Sequence, residues 1–402
     1  MNGMKVRIVV PALVAAMAMA GGGAGTAALA SAGASPSPIK VGWIVEKTGL
    51  YASYITSYDQ GFTIGLQYAT NGTNKVNGHP IQVNLEDDAD DPTTAVTDFK
   101  SLVGAGYKII GGTGDSGIAD ELYPLAAQNK VVYISGAAAD DAITGANKYT
   151  FRSGRQTYQD VATAASYISA LGKNKKVVVL AQDYSFGQSY VTDTQSSFKK
   201  LHDHVSDILV PLTTSDFTGT ATQVAADHPN IVFLAWAGAT AFPLIQSLAN
   251  AGVFSKGAKV ITGLATIATY PYFTQYFGTN ADYLSLYVSQ GSKNAANTYL
   301  VSHEQSEFSS PADLFASDGF VAGEEVVRAA ATGGASQSVN SMIKGLSGWK
   351  FLAPKGMEQI RAADHALLQP MYQVSLSPSN VVKVTKVLSA TQTAPPVTSF
   401  RG

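Results

Sequence analysis

The sequence predicts an α/β fold built as two blocks, each a parallel sheet flanked by helices. Three observations carry this. Apolar runs of four to seven residues recur along the chain, rich in β-branched side chains. Gly, Asn, Asp or Pro bounds each run, which favours strands over helix pieces. Segments with helical apolar spacing separate the runs, and such alternation implies parallel strands covered on both faces. The series restarts after Arg152, giving one block before about residue 155 and one after.

In the first block, residues 39–45 form the opening strand and 57–69 the first helix. Strand 81–85 follows, then a helix opening at Pro92. Strand 107–110, helix 118–128 and strand 131–135 complete the block. In the second block, 160–170 is helical, 176–180 is a buried strand and 186–201 is a helix. Runs 205–210, 231–236, 259–263 and 284–288 are further strands. Residues 312–331 read as one long helix, because Phe315, Val321, Ala322, Val326 and Ala329 recur at helical spacing. Strands 371–376 and 381–387 are placed to pair antiparallel, and the Ser/Thr/Pro-rich stretch 389–402 reads as a mobile tail.

Composition bounds the chemistry. The 402 residues suggest two or three domains. Net charge is -2, which argues against a nucleic-acid partner held by a basic surface. There is no cysteine, so disulfides, thiol nucleophiles, iron–sulfur clusters and cysteine-held zinc are excluded. At the N-terminus, Lys5 and Arg7 precede an apolar run over 8–20 and a Gly/Ala/Ser stretch with a small-x-small site at 28–30. This is the pattern of a secretory signal peptide. The reading is therefore an exported, extracytoplasmic protein. A lipidated cysteine cannot anchor it.

The motifs need weighing. Residues 112–117 read G-x-G-x-x-G, between a strand and a helix. A dinucleotide fold needs that string after its first strand, with an acid about 20 positions on. Here it follows the third strand. What remains is a Gly-rich turn whose N–H groups suit a small polar or anionic group, or a plain helix cap by Asp115 or Ser116. The acidic run 86–91 lacks the glycine and distal Glu of a calcium loop, and reads as a solvated loop with an N-cap. His202 and His204 lack further ligands in register. No cofactor and no metal are expected. Tyr51, Tyr54, Tyr184, Phe186 and Trp236 all follow strands, where open α/β sheets bind ligands.

A family resemblance now emerges. Ile39-Lys40-Val41-Gly42, Thr48-Gly49, Glu86-Asp87-Asp88 with Asp91-Pro92, Ile110-Gly111-Gly112, Ile134-Ser135-Gly136-Ala137 and Phe151-Arg152 resemble the type I periplasmic substrate-binding proteins. The branched-chain amino-acid (leucine-binding-like) group of ABC importers is the most similar. Asp183, Phe186-Gly187 and the strand ending at Trp236 continue the likeness, which spans 39–388. Residues 360–365 resemble a late motif of members that handle aromatic acids or amides.

The resemblance implies two Rossmann-like lobes joined by three crossovers, closing on a ligand by hinge bending. Residues 1–38 would be signal and leader. Lobe one would hold 39–155 and 291–345, lobe two 156–290 and 346–390, with 391–402 a flexible tail. Ligand contacts from lobe one would be Tyr54, Asp115, Ser116, Gly117, Ala137, Ala138 and Ala139. Lobe two would add Phe186, Trp236, Ala237 and Leu264. Where amino-acid binders place a threonine this chain has Ala139, and where they place a carboxylate for the ligand ammonium it has Leu264. A free amino acid is therefore disfavoured unless Asp115 or another acid takes that role. The aromatic set favours a planar or apolar acid or amide. The expected function is capture of a small molecule and delivery to an ABC permease, by a monomer. A secreted sensor for a membrane receptor remains a second reading. An exported hydrolase using Ser116 or Ser185 is a third.

Overall fold

The computed structural model describes residues 36–278, 282–285 and 287–401. The signal-peptide expectation lies outside these residues. The first sheet has the order β2 (Lys75–Val76), β3 (His79–Asp87), β1 (Ile39–Val45), β4 (Ile109–Gly112), β5 (Val132–Ser135), β6 (Thr150–Arg152). All its pairings are parallel except β2 with β3. The second sheet has the order β10 (Lys259–Thr262), β9 (Ile231–Ala235), β7 (Lys176–Gln182), β8 (His204–Val210), all parallel. Strand direction of travel reverses between β1 and β4 in one sheet and between β7 and β9 in the other. The loops at the carboxyl ends of these four strands therefore part and leave a crevice.

The helices form where the apolar spacing places them. In the first lobe α1 (Ala52–Ala69), α2 (Pro92–Gly104) and α3 (Ser116–Asn129) follow the strands in turn. In the second, α4 (Thr157–Ala170), α5 (Ser185–Lys199), α6 (Thr218–Ala226), α7 (Ala241–Asn250) and α8 (Tyr270–Phe277) do so. Asp91 accepts the Thr93 N–H at 2.7 Å and Pro92 fills the first helical position, so α2 starts as its sequence predicts. The preceding acids are more than a solvated loop. Asp87 accepts the N–H groups of Lys47 and Thr48, and Asp90 accepts that of Leu50. They fix the turn that feeds Tyr51 and Tyr54 into the crevice.

After β11 (Asp282–Ser285) come α9 (Ala295–Phe308), α10 (Leu314–Gly333) and α11 (Val339–Leu346). Helix α10 packs on α1 of the first lobe at unusually close range. A Cβ on Gly61 would lie 2.0 Å from the Ala316 carbonyl oxygen, and one on Gly319 2.0 Å from that of Tyr58. Glycine is needed there for approach alone. The chain then forms the small antiparallel sheet β12 (Lys350–Ala353), β13 (Gly356–Ile360), β14 (Leu367–Leu368). It ends with β15 (Met371–Leu376) and β16 (Val382–Leu388), antiparallel to each other as expected, with β15 also pairing β11.

The segment after β16 is docked, which corrects the mobile-tail expectation. Arg361 donates to the carbonyls of Pro395 and Pro396, and Asp364 accepts the Thr398 N–H at 3.0 Å. The Arg401 N–H donates to Gly145 O at 3.0 Å. The His365 ring lies stacked on Phe151 with centroids 3.9 Å apart, and Phe400 covers it edge-on at 4.8 Å. Low-complexity composition hid these anchors, because the partners sit far back in the chain.

Candidate functional site

The two crevices face each other across a cleft with about 350 Å³ of empty space, part of it open to solvent. Tyr51, Tyr54 and Ile55 enter from the start of α1, Gly114 from the turn after β4, and Ala137 from the turn after β5. Arg155 comes from the crossover after β6. The second lobe contributes Tyr184 and Phe186 after β7, Ala237 after β9 and Leu264 after β10. Phe315 enters from the first turn of α10.

The lobes touch around this cavity. The Tyr54 hydroxyl accepts the Gly238 N–H at 3.3 Å, and the Asp141 N–H donates to Ser189 Oγ at 3.3 Å. The Ile267 N–H donates to Asp313 Oδ2 at 3.3 Å. Tyr51 and Tyr184 approach with centroids 6.4 Å apart, while Tyr54 stacks on Phe315 at 4.8 Å. Gln182 clamps the Ala237 backbone, accepting its N–H at 2.9 Å and donating to its carbonyl at 3.1 Å. This bond pair sets the height of Ala237 at the sheet edge.

The Gly-rich turn is filled from within. Glu46, the residue after β1, accepts the N–H of Gly114 at 2.9 Å and of Asp115 at 2.8 Å. Burial, with Asp88 nearby, raises the Glu46 carboxyl well above the usual range, against the pull of those N–H groups. Asp115 Oδ1 accepts the Ile118 N–H at 2.9 Å, so it caps α3. Burial raises Asp115 to about 6. Ser116 Oγ accepts the N–H groups of Ala139 and Asp140 at 3.1 and 3.2 Å, and so pins the loop after β5. The N–H groups of Gly114, Asp115 and Ile118 are thus held by protein carboxylates.

The sequence-derived residues divide accordingly. Tyr54, Ala137, Phe186, Ala237 and Leu264 line the cavity. Asp115, Ser116, Gly117, Ala138 and Ala139 stand behind its wall. Gly117 lies beside the Asp115 carboxyl, and the Ala138 carbonyl accepts a bond from buried Arg152 at 2.8 Å. Trp236 lines a neighbouring cavity, meets Phe217 edge-on at 5.5 Å and donates from Nε1 to Thr240 Oγ1 at 3.0 Å.

Sequence reasoning missed Arg155, Phe315, Ile55 and Glu46 as site residues. Arg155 is the one charged residue lining the cavity among the described residues. Its Nη1 donates to the Ala137 carbonyl at 2.6 Å, and its Nε lies 3.5 Å from Asp160 Oδ2. Tyr190 donates its hydroxyl to the same carboxylate oxygen. Burial raises Asp160 to about 6, against the attraction of Arg155. An arginine after a Ser-Gly pair, just beyond the edge strand β6, was the available signal for it.

Comparison with known proteins fits this geometry. The periplasmic binding protein profile matches residues 38–380. The Leu/Ile/Val-binding protein homolog 1 of Brucella abortus (strain 2308) is 24% identical over 238 residues, 57% of this chain and 63% of that protein. The chain thus spans less than two thirds of that curated relative's length. A solved ABC-type branched-chain amino acid transporter structure from Rhodopseudomonas palustris CGA009 is 30% identical. It covers 90% of this chain and 99% of its own, with a TM-score of 0.74. Two solute-binding proteins from R. palustris share the fold. One, from strain BisB5, in complex with 3,4-dihydroxy benzoic acid, is 24% identical over 88% of this chain and 98% of its own, at TM-score 0.78. The other, in complex with benzoate, is 22% identical over 90% of this chain and 98% of its own, at 0.77. No described helix is long and apolar enough to cross a membrane. The chain belongs to the periplasmic binding protein family, and within it resembles the Leu/Ile/Val-binding proteins of ABC transporters.

Proposed function

We propose that this protein captures a small aromatic carboxylate outside the cytoplasm, closes its lobes on it and presents it to an ABC permease. The observation that carries this reading is a cavity walled by five aromatic rings and one guanidinium. Rings at Tyr51, Tyr54, Tyr184, Phe186 and Phe315 suit a planar apolar body. Arg155 keeps Nη2 free of protein hydrogen bonds among the described residues, which leaves a charge-assisted donor for a carboxylate.

An amino acid fits less well. Its carboxylate would seek the N–H groups of the Gly-rich turn, where Glu46 already sits. Its ammonium would need an acid in the cavity wall, and none lines it among the described residues. An ammonium buried without a partner costs several kcal/mol. The aromatic acids held by two structural neighbours belong to those proteins, and agree with this choice.

Isothermal titration of the purified protein with benzoate, benzamide and leucine tests it. Benzoate should bind at least about tenfold more tightly than neutral benzamide, since a hydrogen bond to a charged group contributes about 1.5–3 kcal/mol. Tighter binding of leucine, or equal binding of benzamide, would overturn the reading.

A further inference from the structure

A second cavity, with about 380 Å³ of empty space that includes open solvent, adjoins the first and is lined mostly by the second lobe. Its walls include Leu234 and Trp236 from β9 and its end, Ala241, Phe242 and Ile245 from α7, and Phe273 from α8. Tyr54 and Leu264 line both cavities, so two side chains form the partition. Arg155 lines the first cavity alone.

The second cavity offers hydrocarbon. No charged residue lines it. Its hydroxyls are already engaged: Thr262 Oγ1 accepts the Leu264 N–H at 3.2 Å, and Thr269 Oγ1 donates to the Thr266 carbonyl at 2.7 Å. The Trp236 N–H is held by Thr240 and the Tyr54 hydroxyl by Gly238. A polar group placed here would lose its water and find only the hydroxyl protons of Tyr54 and Thr262, which accept in these bonds. An apolar one would gain in proportion to the surface it buries.

We infer that the ligand is an aryl acid carrying an apolar tail, with the carboxylate at Arg155 and the tail passing Tyr54 and Leu264 into this annex. The inference rests on the aromatic-acid reading above and extends it to ligand length. The partition suits the passage. Leu264 sits in the loop after β10, free of sheet pairing, and Tyr54 is held across the lobes by a single bond at 3.3 Å.

The test is a titration series of benzoate and its 4-methyl, 4-ethyl and 4-butyl derivatives on the intact protein. Affinity should rise with tail length, roughly threefold to fourfold for each methylene that enters the annex. Ala241→Phe, at the partly exposed start of α7, should fill the annex, abolish that rise and keep benzoate affinity within about twofold. Benzoate binding with no gain along the series would overturn the annex and leave the aromatic-acid reading standing. Absence of binding by all four acids would overturn both. The wild-type series decides the matter even where the variant fails to fold.

Discussion

The hydroxyl of Tyr54 accepts the backbone N–H of Gly238 at 3.3 Å, so a side chain of the first lobe is tied to the main chain of the second. The same ring stacks on Phe315 and lines both cavities. In the proposed closure, Tyr54 would couple the lobes to occupancy. Tyr54→Phe keeps the ring and removes the bond. Ligand affinity should fall about threefold to tenfold with little change in melting temperature, as expected for one hydrogen bond of about 0.5–1.5 kcal/mol. Calorimetry paired with thermal melts separates the two effects.

Glu46 satisfies two buried N–H groups at the start of α3. Glu46→Gln retains an acceptor and should cost at most about 1 kcal/mol. Glu46→Ala orphans both donors and should cost about 2–4 kcal/mol, since each unsatisfied buried donor costs about 1–3 kcal/mol. Denaturant unfolding of the two variants measures the gap. Equal losses would show that the amides find another partner.

The α1–α10 contact has no room for a methyl group at Gly61. Gly61→Ala raises helix propensity, yet should destabilise the fold by at least about 2 kcal/mol because the obstacle is backbone. A stabilised Gly61→Ala protein would contradict the close crossing.

Buried acids set the response to pH. Burial, with Asp141 adjacent, pushes Asp193 up to about 8. Burial and Asp313 push Glu304 to about 8, and burial lifts Glu358 to about 8 against the pull of Lys355. Each carboxyl holds a proton in the folded state that the unfolded chain releases near pH 4. Their stabilisation is complete below pH 4 and is lost as pH rises through about 8. His365 acts with the opposite sign, burial lowering it to about 4. Its contribution is present above its unfolded value of about 6.5 and is lost as pH falls toward 4. Melting temperature should therefore decline between pH 6.5 and 8.5, measured by calorimetry at constant ionic strength. A rise over that interval would refute the protonated assignment of these acids.

Much of the fold was legible because apolar periodicity is local. Strands β1, β7 and β9 and the late hairpin β15–β16 follow directly from their runs. Helix α9 escaped notice because its apolar residues do not gather on one face. The short strands β12–β14 depend on pairing with one another rather than on pattern. At the site, Tyr54 and Phe186 were legible from their place after strands, and Ala237 from the family resemblance. Glu46 and Arg155 were not, since their roles arise from partners distant in sequence: Gly114 and Asp115 for one, Ala137 and the cavity itself for the other. Ser116 and Asp115 were chosen for the right turn, but that turn is closed by the protein's own carboxylates.

The docked segment beyond β16 has a consequence for the order of events in synthesis. His365 rests on Phe151 and is roofed by Phe400, so one ring is walled by the first lobe's edge strand and by a residue far later in the chain. The His365 ring stays uncovered on that side until residue 400 has been made. Both parallel sheets can be complete well before then, with the His365–Phe151 contact still waiting for its cover.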